Sequence, residues 1–281
     1  MKTDPYEVHG GVLGTPDPCL LNISGGRTSG MMLRKVLDAY GGVLPEGVRA
    51  CFTNTGREMV ETLDFVKEMS GRWSVPIAWI ERDPDAEGGY REVGRNSASR
   101  DGEPFERLIR DKQYLPNRVA RFCTVELKIK PAEAWCRSQG WTKWASVLGY
   151  RADEVRRLLS AQKRGYALAP MVDAGVTKRD VVSFWAAQPF DLLLPTVGGK
   201  TPMGNCDGCF LKGEKVLAGI ARSHPERFAW WPKMEVETGK TFRGSDRMSH
   251  TQIAALVRDQ GDMLAGLSDE AEGIDCYCTG E

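Results

Sequence analysis

The sequence predicts an α/β fold: an open, mainly parallel sheet with helices on both faces, followed by a smaller, mostly helical C-terminal region. Three observations predict it. Short apolar runs alternate with stretches of helical spacing over residues 19–80, and strand–helix–strand alternation is the pattern of parallel sheets with right-handed crossovers. The first apolar run ends in Ser24-Gly25-Gly26, a tight turn delivering the chain into a helix. Beyond Pro195 the texture changes to Gly-rich turns, cysteines and a Trp/Arg-rich helical stretch. A soft boundary near residue 190 therefore separates residues 1–190 from 191–281.

The elements follow in order. Cys19-Leu20-Leu21-Asn22-Ile23 reads as a buried strand, and Met31, Met32, Val36 and Leu37 recur at helical spacing over 28–40. A second unit comprises a strand over 48–53, the turn Asn54-Thr55-Gly56, and a helix over 60–69 carrying Leu63, Phe65 and Val66. A third strand over 75–80 is closed by the charged Glu81-Arg82-Asp83. Residues 84–104, rich in Gly, Asp, Ser and Arg, read as a long mobile loop of the kind used as a lid or binding loop. A helix over 125–139, a strand over 144–148 ending at Gly149-Tyr150-Arg151, and a helix over 153–163 come next. A helix over 177–188 opens on a Thr177 cap with Asp180 three positions later.

Composition bounds the function. The 281 residues carry 38 acidic and 38 basic side chains, so no overall basic field draws the chain to nucleic acid or membrane. No apolar run approaches the roughly 20 residues that span a bilayer, and Met1–Tyr6 lacks the apolar core of a signal peptide. The expectation is a cytoplasmic protein without a membrane partner, in a compartment where disulfides are rare. Eight cysteines then need another reason. Cys19, Cys51 and Cys136 stand in strand-like or helical runs and read as small buried side chains. Cys123, Cys206, Cys209, Cys276 and Cys278 stand instead beside Gly, Asp, Thr and Arg.

Two constellations carry chemistry. In Ser24-Gly25-Gly26-Arg27-Thr28-Ser29, paired glycines let backbone N–H groups approach an oxyanion. Ser24, Thr28 and Ser29 add hydroxyls, Arg27 a positive fork, and the following helix its positive end. The spacing fits neither a Walker A loop nor a dinucleotide fingerprint. Cys206-Asp207-Gly208-Cys209 brings two thiols to one turn, and Cys276-Tyr277-Cys278 is a second pair. Thiolates suit zinc or an iron–sulfur cluster, and a C-x-x-C is equally a redox dithiol. The three histidines, His9, His224 and His250, are isolated and read as surface or capping residues. Trp230-Trp231 with Arg222, Arg227, Arg243 and Arg247 reads either as a base-stacking surface or as a packed face with solvated arginines. Asp153 and Glu154 suit a magnesium ion or the dipole of a helix start.

The phosphate-loop segment resembles the SGGxxS pyrophosphate loop of the PP-loop ATP pyrophosphatase superfamily, and specifically its PAPS (phosphoadenosine phosphosulfate) reductase family. Asn54-Thr55-Gly56 with Glu61-Thr62-Leu63-Asp64-Phe65 resembles that group's (D/N)TG…PET…F element. Arg121-Phe122-Cys123-Thr124 before Lys128-Ile129-Lys130-Pro131 resembles its cysteine segment, and Gly149-Tyr150-Arg151-Ala152-Asp153-Glu154 its G-x-R-x-x-E strand end. The resemblance implies an adenine nucleotide alpha-hydrolase-like fold binding ATP or PAPS. Ser24, Gly25, Gly26, Arg27, Thr28 and Ser29 would hold phosphate, Asn54 and Gly56 would border the nucleoside, and Arg151 would contact phosphate or a sulfur-bearing group. Thr28 stands where ATP-cleaving members carry Asp.

The long interval from Cys123 to Cys206 is similar to the layout of adenylyl-sulfate reductases, whose cysteines hold a [4Fe–4S] cluster. Here Thr124 replaces the second upstream cysteine. The implied ligands are Cys123, Cys206, Cys209 and Cys276, with Zn the alternative metal and Cys278 a nucleophile near the tail. The implied activity is sulfur transfer, by ATP-dependent adenylation and thiolation, or reduction of an adenylylated sulfate. Implied partners are the adenine nucleotide, a nucleic-acid acceptor, and a thiol reductant or sulfur-donor protein. The alternative is a non-catalytic nucleotide-binding module with a structural four-cysteine zinc site, acting in a nucleic-acid modification complex.

Overall fold

The computed structural model describes residues 4–8, 18–163, 165, 167–197 and 200–260. Six strands form one sheet: β1 (Cys19–Ile23), β2 (Val48–Thr53), β3 (Ile77–Arg82), β4 (Tyr90–Val93), β5 (Ala145–Leu148) and β6 (Ala167–Leu168). Their spatial order is β4-β3-β2-β1-β5-β6, parallel throughout except for β4 at the edge. The first helices are α1 (Arg27–Ala39), α2 (Val60–Arg72), α3 (Glu103–Lys112), α4 (Phe122–Thr124), α5 (Lys130–Ser138) and α6 (Val155–Gln162). Then come α7 (Pro170–Asp173), α8 (Lys178–Ala186), α9 (Glu214–Ser223), α10 (Pro225–Phe228), α11 (Trp230–Thr238) and α12 (His250–Gln260). Among the described residues no helix is long and apolar enough to cross a membrane.

The pleat of β1 explains why helices cover both faces. Leu21 and Ile23 face a core shared with Met32 of α1, Leu63 of α2 and Trp185 of α8. Leu20 points the other way, onto Ala132, Trp135 and Cys136 of α5. A parallel strand buried on both sides needs apolar residues at successive positions, and that is what the run Cys19-Leu20-Leu21 supplies. The order of connections reverses between β1 and β5, so a crevice opens at the carboxyl ends of these two strands.

Three expectations are corrected. The third strand starts at Ile77, after Pro76, and runs on through Glu81 and Arg82 instead of stopping before them. Glu81 is fully buried there, accepting from Asn54 Nδ2 (2.6 Å), Ser99 N (2.7 Å) and Arg91 (2.7 Å). That carboxylate is also why the segment expected as a long mobile loop is built in: it draws Arg91 of β4 and Ser99 onto the sheet. The helix expected over 125–139 opens with a π-helical turn, Val125–Ile129, before α5; such turns recur at functional sites. The Thr177–Asp180 capping box is present as expected.

The residues beyond 190 share cores with those before it. Leu217 and Ile220 of α9 join the sheet core. Trp230 and Trp231 of α11 pack with Phe105 and Leu108 of α3. The two tryptophans are thus buried in a core, not a surface on which bases could stack.

Candidate functional site

The phosphate loop lies between the end of β1 and the start of α1, with Gly26 at the helix cap. Gly25 has φ +76°, and a Cβ there would stand 2.4 Å from Thr62 Cγ2, so glycine is required twice over. Ser29 ties the turn together. Its Oγ accepts from Ser24 N (3.1 Å), pairs with Ser24 Oγ (3.0 Å) and donates to Gly26 O (3.0 Å). The first-turn N–H groups of α1 are thereby presented at one end of the crevice.

The chain leaving β5 closes on this loop. A Cβ at Gly149 would stand 2.9 Å from Ser29 Cα, so only glycine permits the approach. Two residues on, Arg151 reaches Thr28 Oγ1 at 3.4 Å. Its guanidinium also holds Asp153 (2.9 and 3.0 Å) and stands 3.3 Å from Glu154. The hydrogen bond from Arg151 lowers the Asp153 pKa. Both acids are thus engaged by arginines in this structure, Glu154 by Arg157 as well.

Arg27 turns away from the loop's mouth. It forms a fork on Asp191 (2.7 and 2.9 Å) and bonds Leu192 O, Thr196 Oγ1 and Thr201 Oγ1. Asn54 is fully buried, with Nδ2 on Glu81 and on Ser99 O (2.8 Å). Gly56, at φ +79°, lies backbone to backbone against Gly102.

A cavity of 330 Å³ opens beneath α5 and reaches the last residues of β1, β2 and β5. Ile23 and Leu148, which lead directly to Ser24 and Gly149, line it with Asn22, Thr53, Ser146 and Lys128. Its size suits a small ligand, and its walls are mostly apolar with a few polar groups. Cys51 also lines it, but burial pushes that thiol well up; burial takes Cys136 to about 12. Both, with Cys19, are the inert buried cysteines expected.

The cysteine turn docks on the loop after β2. Cys206 Sγ meets Thr55 Oγ1 at 3.4 Å, and Asp207 N donates to Arg57 O (2.9 Å). Asp207 is fully buried and accepts from Arg57 (2.6 Å), Arg227 (2.8 Å), Trp231 Nε1 (2.8 Å) and Gly208 N (2.7 Å). Lys212 Nζ caps the carbonyls of Gly204, Cys206 and Asp207. His250 Nε2 meets Gly208 O at 2.7 Å. Beneath it Glu235 accepts from the backbone N–H groups of His250 and Thr251 at the start of α12. Burial alone would raise the Glu235 pKa, but His250 and Thr251 together bring it down to about 2. His250 is therefore buried, contrary to the surface or capping role expected of it.

Cys123, Cys206 and Cys209 share one apolar cluster. Among the described residues, however, no three His, Cys, Asp or Glu side chains are grouped as a metal requires. The described residues alone therefore do not fit a four-sulfur centre. Cys276 and Cys278 lie outside the described residues.

Sequence reasoning found both constellations but missed what holds them. Arg57 follows the N-T-G turn and Asp207 lies inside the C-x-x-C, so both could have been flagged by position. Asp191, Glu235 and His250 act across the chain and carry no local signal.

No family model matches the chain. It is similar to the uncharacterized nin region protein ORF290 of Escherichia phage lambda, with 28% identity over 259 residues, 89% of this chain and 85% of that one. Among solved structures it is similar to phosphoadenylyl-sulfate (PAPS) reductase from Candida auris in a phosphate complex. There the identity is 18%, the coverage 70% of this chain and 88% of that one, and the TM-score 0.44. It is also similar to the U34-tRNA thiolase NcsA from Methanococcus maripaludis with its [4Fe-4S] cluster. There the identity is 10%, the coverage 90% and 86%, and the TM-score 0.42.

Proposed function

We propose that this chain is a PP-loop enzyme of the PAPS reductase kind that binds an adenine nucleotide and carries out sulfur transfer or reduction. One observation carries the reading: the Ser24–Ser29 turn and the Gly149–Arg151 turn meet at the carboxyl ends of β1 and β5, beside a 330 Å³ cavity. Backbone N–H groups of Gly25, Gly26 and the first turn of α1 would grip phosphate, with the hydroxyls of Ser24, Thr28 and Ser29 around it. Arg151 stands at the same place and would exchange part of its hold on Asp153 for the ligand's charge. The cavity would take the nucleoside, with Gly56 and the loop after β2 at its border. Asn54 would support that border through Glu81 and Ser99. A magnesium ion would need Asp153 or Glu154 released from their arginines.

The iron–sulfur part of the reading rests on the sequence resemblance: Cys123, Cys206 and Cys209 border one apolar core, but their sulfurs are not grouped as a metal requires. It needs a fourth sulfur, for which Cys276 is the candidate, leaving Cys278 as a nucleophile. Iron and acid-labile sulfide in an anaerobic preparation test it; zinc in their place supports the structural alternative.

The reaction is tested by offering ATP with candidate acceptors, and PAPS or adenylyl sulfate with a thiol reductant. Pyrophosphate release marks adenylation, and sulfite release marks reduction. Binding without either product leaves a nucleotide-binding module. No binding of any of the three nucleotides overturns the reading.

A further inference from the structure

Arg27 opens α1, directly after the glycine pair. A guanidinium has five N–H donors in a fixed fork, and here every one is engaged. Nε and one NH2 donor take the two carboxylate oxygens of Asp191, the other NH2 donor takes Leu192 O, and the NH1 pair takes Thr196 Oγ1 and Thr201 Oγ1. The Arg27 carbonyl in turn accepts from Trp185 Nε1 at 2.7 Å. No donor is left to point at a phosphate, although the residue lies within the phosphate loop.

What Arg27 holds is the chain that runs into the cysteine turn. Val197 and Lys200 form a two-way bridge (2.8 and 2.9 Å) between Thr196 and Thr201. Thr201 O then accepts from Gly204 N at 2.9 Å, and a Cβ at Gly204 would press on the same carbonyl. Asn205 follows with φ +57°, and Cys206 comes next. We propose that Arg27 is a positioning residue: it fastens the strap anchored at Asp191, Leu192, Thr196 and Thr201 to the phosphate loop, and so sets where the Cys206–Cys209 turn stands relative to bound phosphate. The inference deepens the phosphate-loop reading and rests on it for its functional consequence.

The residue types fit this role. A lysine could neutralise Asp191 but could not grip a carboxylate and three further acceptors in one plane. Side-chain exposures of 17% for Arg27 and 38% for Asp191 leave the pair partly screened, so the fork geometry rather than net charge carries the hold.

The test uses the full chain with Arg27→Ala, Asp191→Asn, Asp191→Glu and the Arg27→Ala/Asp191→Asn double variant. Three quantities are read: trypsin cleavage after the exposed Lys200, iodoacetamide labelling of each cysteine by mass spectrometry, and inorganic pyrophosphate affinity by calorimetry. Loss of the fork should raise cleavage after Lys200 by about tenfold. Labelling of Cys206 and Cys209 should rise with it, while Cys51 and Cys136 stay at wild-type levels. Pyrophosphate affinity should fall by the same factor in both single variants and no further in the double, as for two residues acting as one unit. Asp191→Glu, which keeps the carboxylate, should recover most of the wild-type behaviour. The proposal is overturned if Arg27→Ala loses pyrophosphate while Asp191→Asn does not, because Arg27 would then be a direct ligand. It is equally overturned if Asp191→Asn, close to isosteric and expected to fold, moves neither cleavage nor labelling. A wild-type protein that binds no pyrophosphate sinks the phosphate-loop reading instead, and the cleavage and labelling arms still decide whether the strap exists.

Discussion

The phosphate loop and the cysteine turn are both short, glycine-bearing and rich in hydrogen bonds, yet they differ in which groups the fold uses up. In Ser24–Ser29 the bonds from outside fall on Arg27 and on Thr28 Oγ1, while Ser29 ties Ser24 to Gly26 and the adjoining helix sets the direction of its N–H groups. Cys206–Cys209 is held by the nearby Lys212 and, across the chain, by Arg57, Arg227, Trp231 and His250. The first can therefore offer donors to a ligand. The second has its carbonyls and its one carboxylate consumed by the protein. A change in the first should act mostly on binding, and a change in the second mostly on stability.

The largest effect expected is on the cysteine turn. Asp207→Ala strands the buried Arg57, the half-buried Arg227 and an indole, and breaking a buried ion pair from one side costs about 3–5 kcal/mol. Thermal unfolding should fall by about 10 °C; a shift under 2–3 °C, on the order of 1 kcal/mol, would mean the turn is not the keystone described. Gly25→Ala comes next, forcing a methyl to 2.4 Å from Thr62 at φ +76°. A stability loss of about 2–4 kcal/mol should accompany abolished nucleotide binding, and urea titration with and without ATP separates the two.

Glu235 gives the comparison a pH axis. Its carboxyl titrates at about 2 when folded, against 4.5 for the ordinary group. A depressed folded pKa stabilises above the unfolded value, so this contribution is whole above pH 4.5 and drains away as pH falls towards 2. Glu235→Gln should flatten the acid limb of the stability profile in that window, by up to about 3 kcal/mol. An unchanged limb would detach Glu235 from the anchoring of α12 and His250. Ser29→Ala should be smaller on stability, about 1 kcal/mol, but should weaken pyrophosphate binding by about tenfold. The reverse ranking would contradict the distinction between the two turns.

Both turns were visible in the sequence to different depths. The parallel sheet, the Ser-Gly-Gly loop and the three buried structural cysteines follow from local patterns: apolar runs, paired glycines and period. Thr177 and Asp180 likewise announce their capping box. What escaped depends on partners far apart in the chain. Glu81 reads as a strand-ending charge until Asn54, Arg91 and Ser99 are seen to surround it. His250 reads as a surface residue until Gly208 and Glu235 are placed against it. Arg27 reads as a phosphate fork, and nothing near it in sequence announces that Asp191 lies in its grasp. In each case a polar side chain is committed by a long-range partner that no local spacing encodes.

Amide hydrogen exchange of the full chain with and without saturating ATP tests the central claim most directly. Exchange should slow at 25–30 and 149–152, with the already buried residues 206–209 little changed. Bound ATP that leaves 25–30 exchanging as before, or that protects some other surface instead, would contradict it.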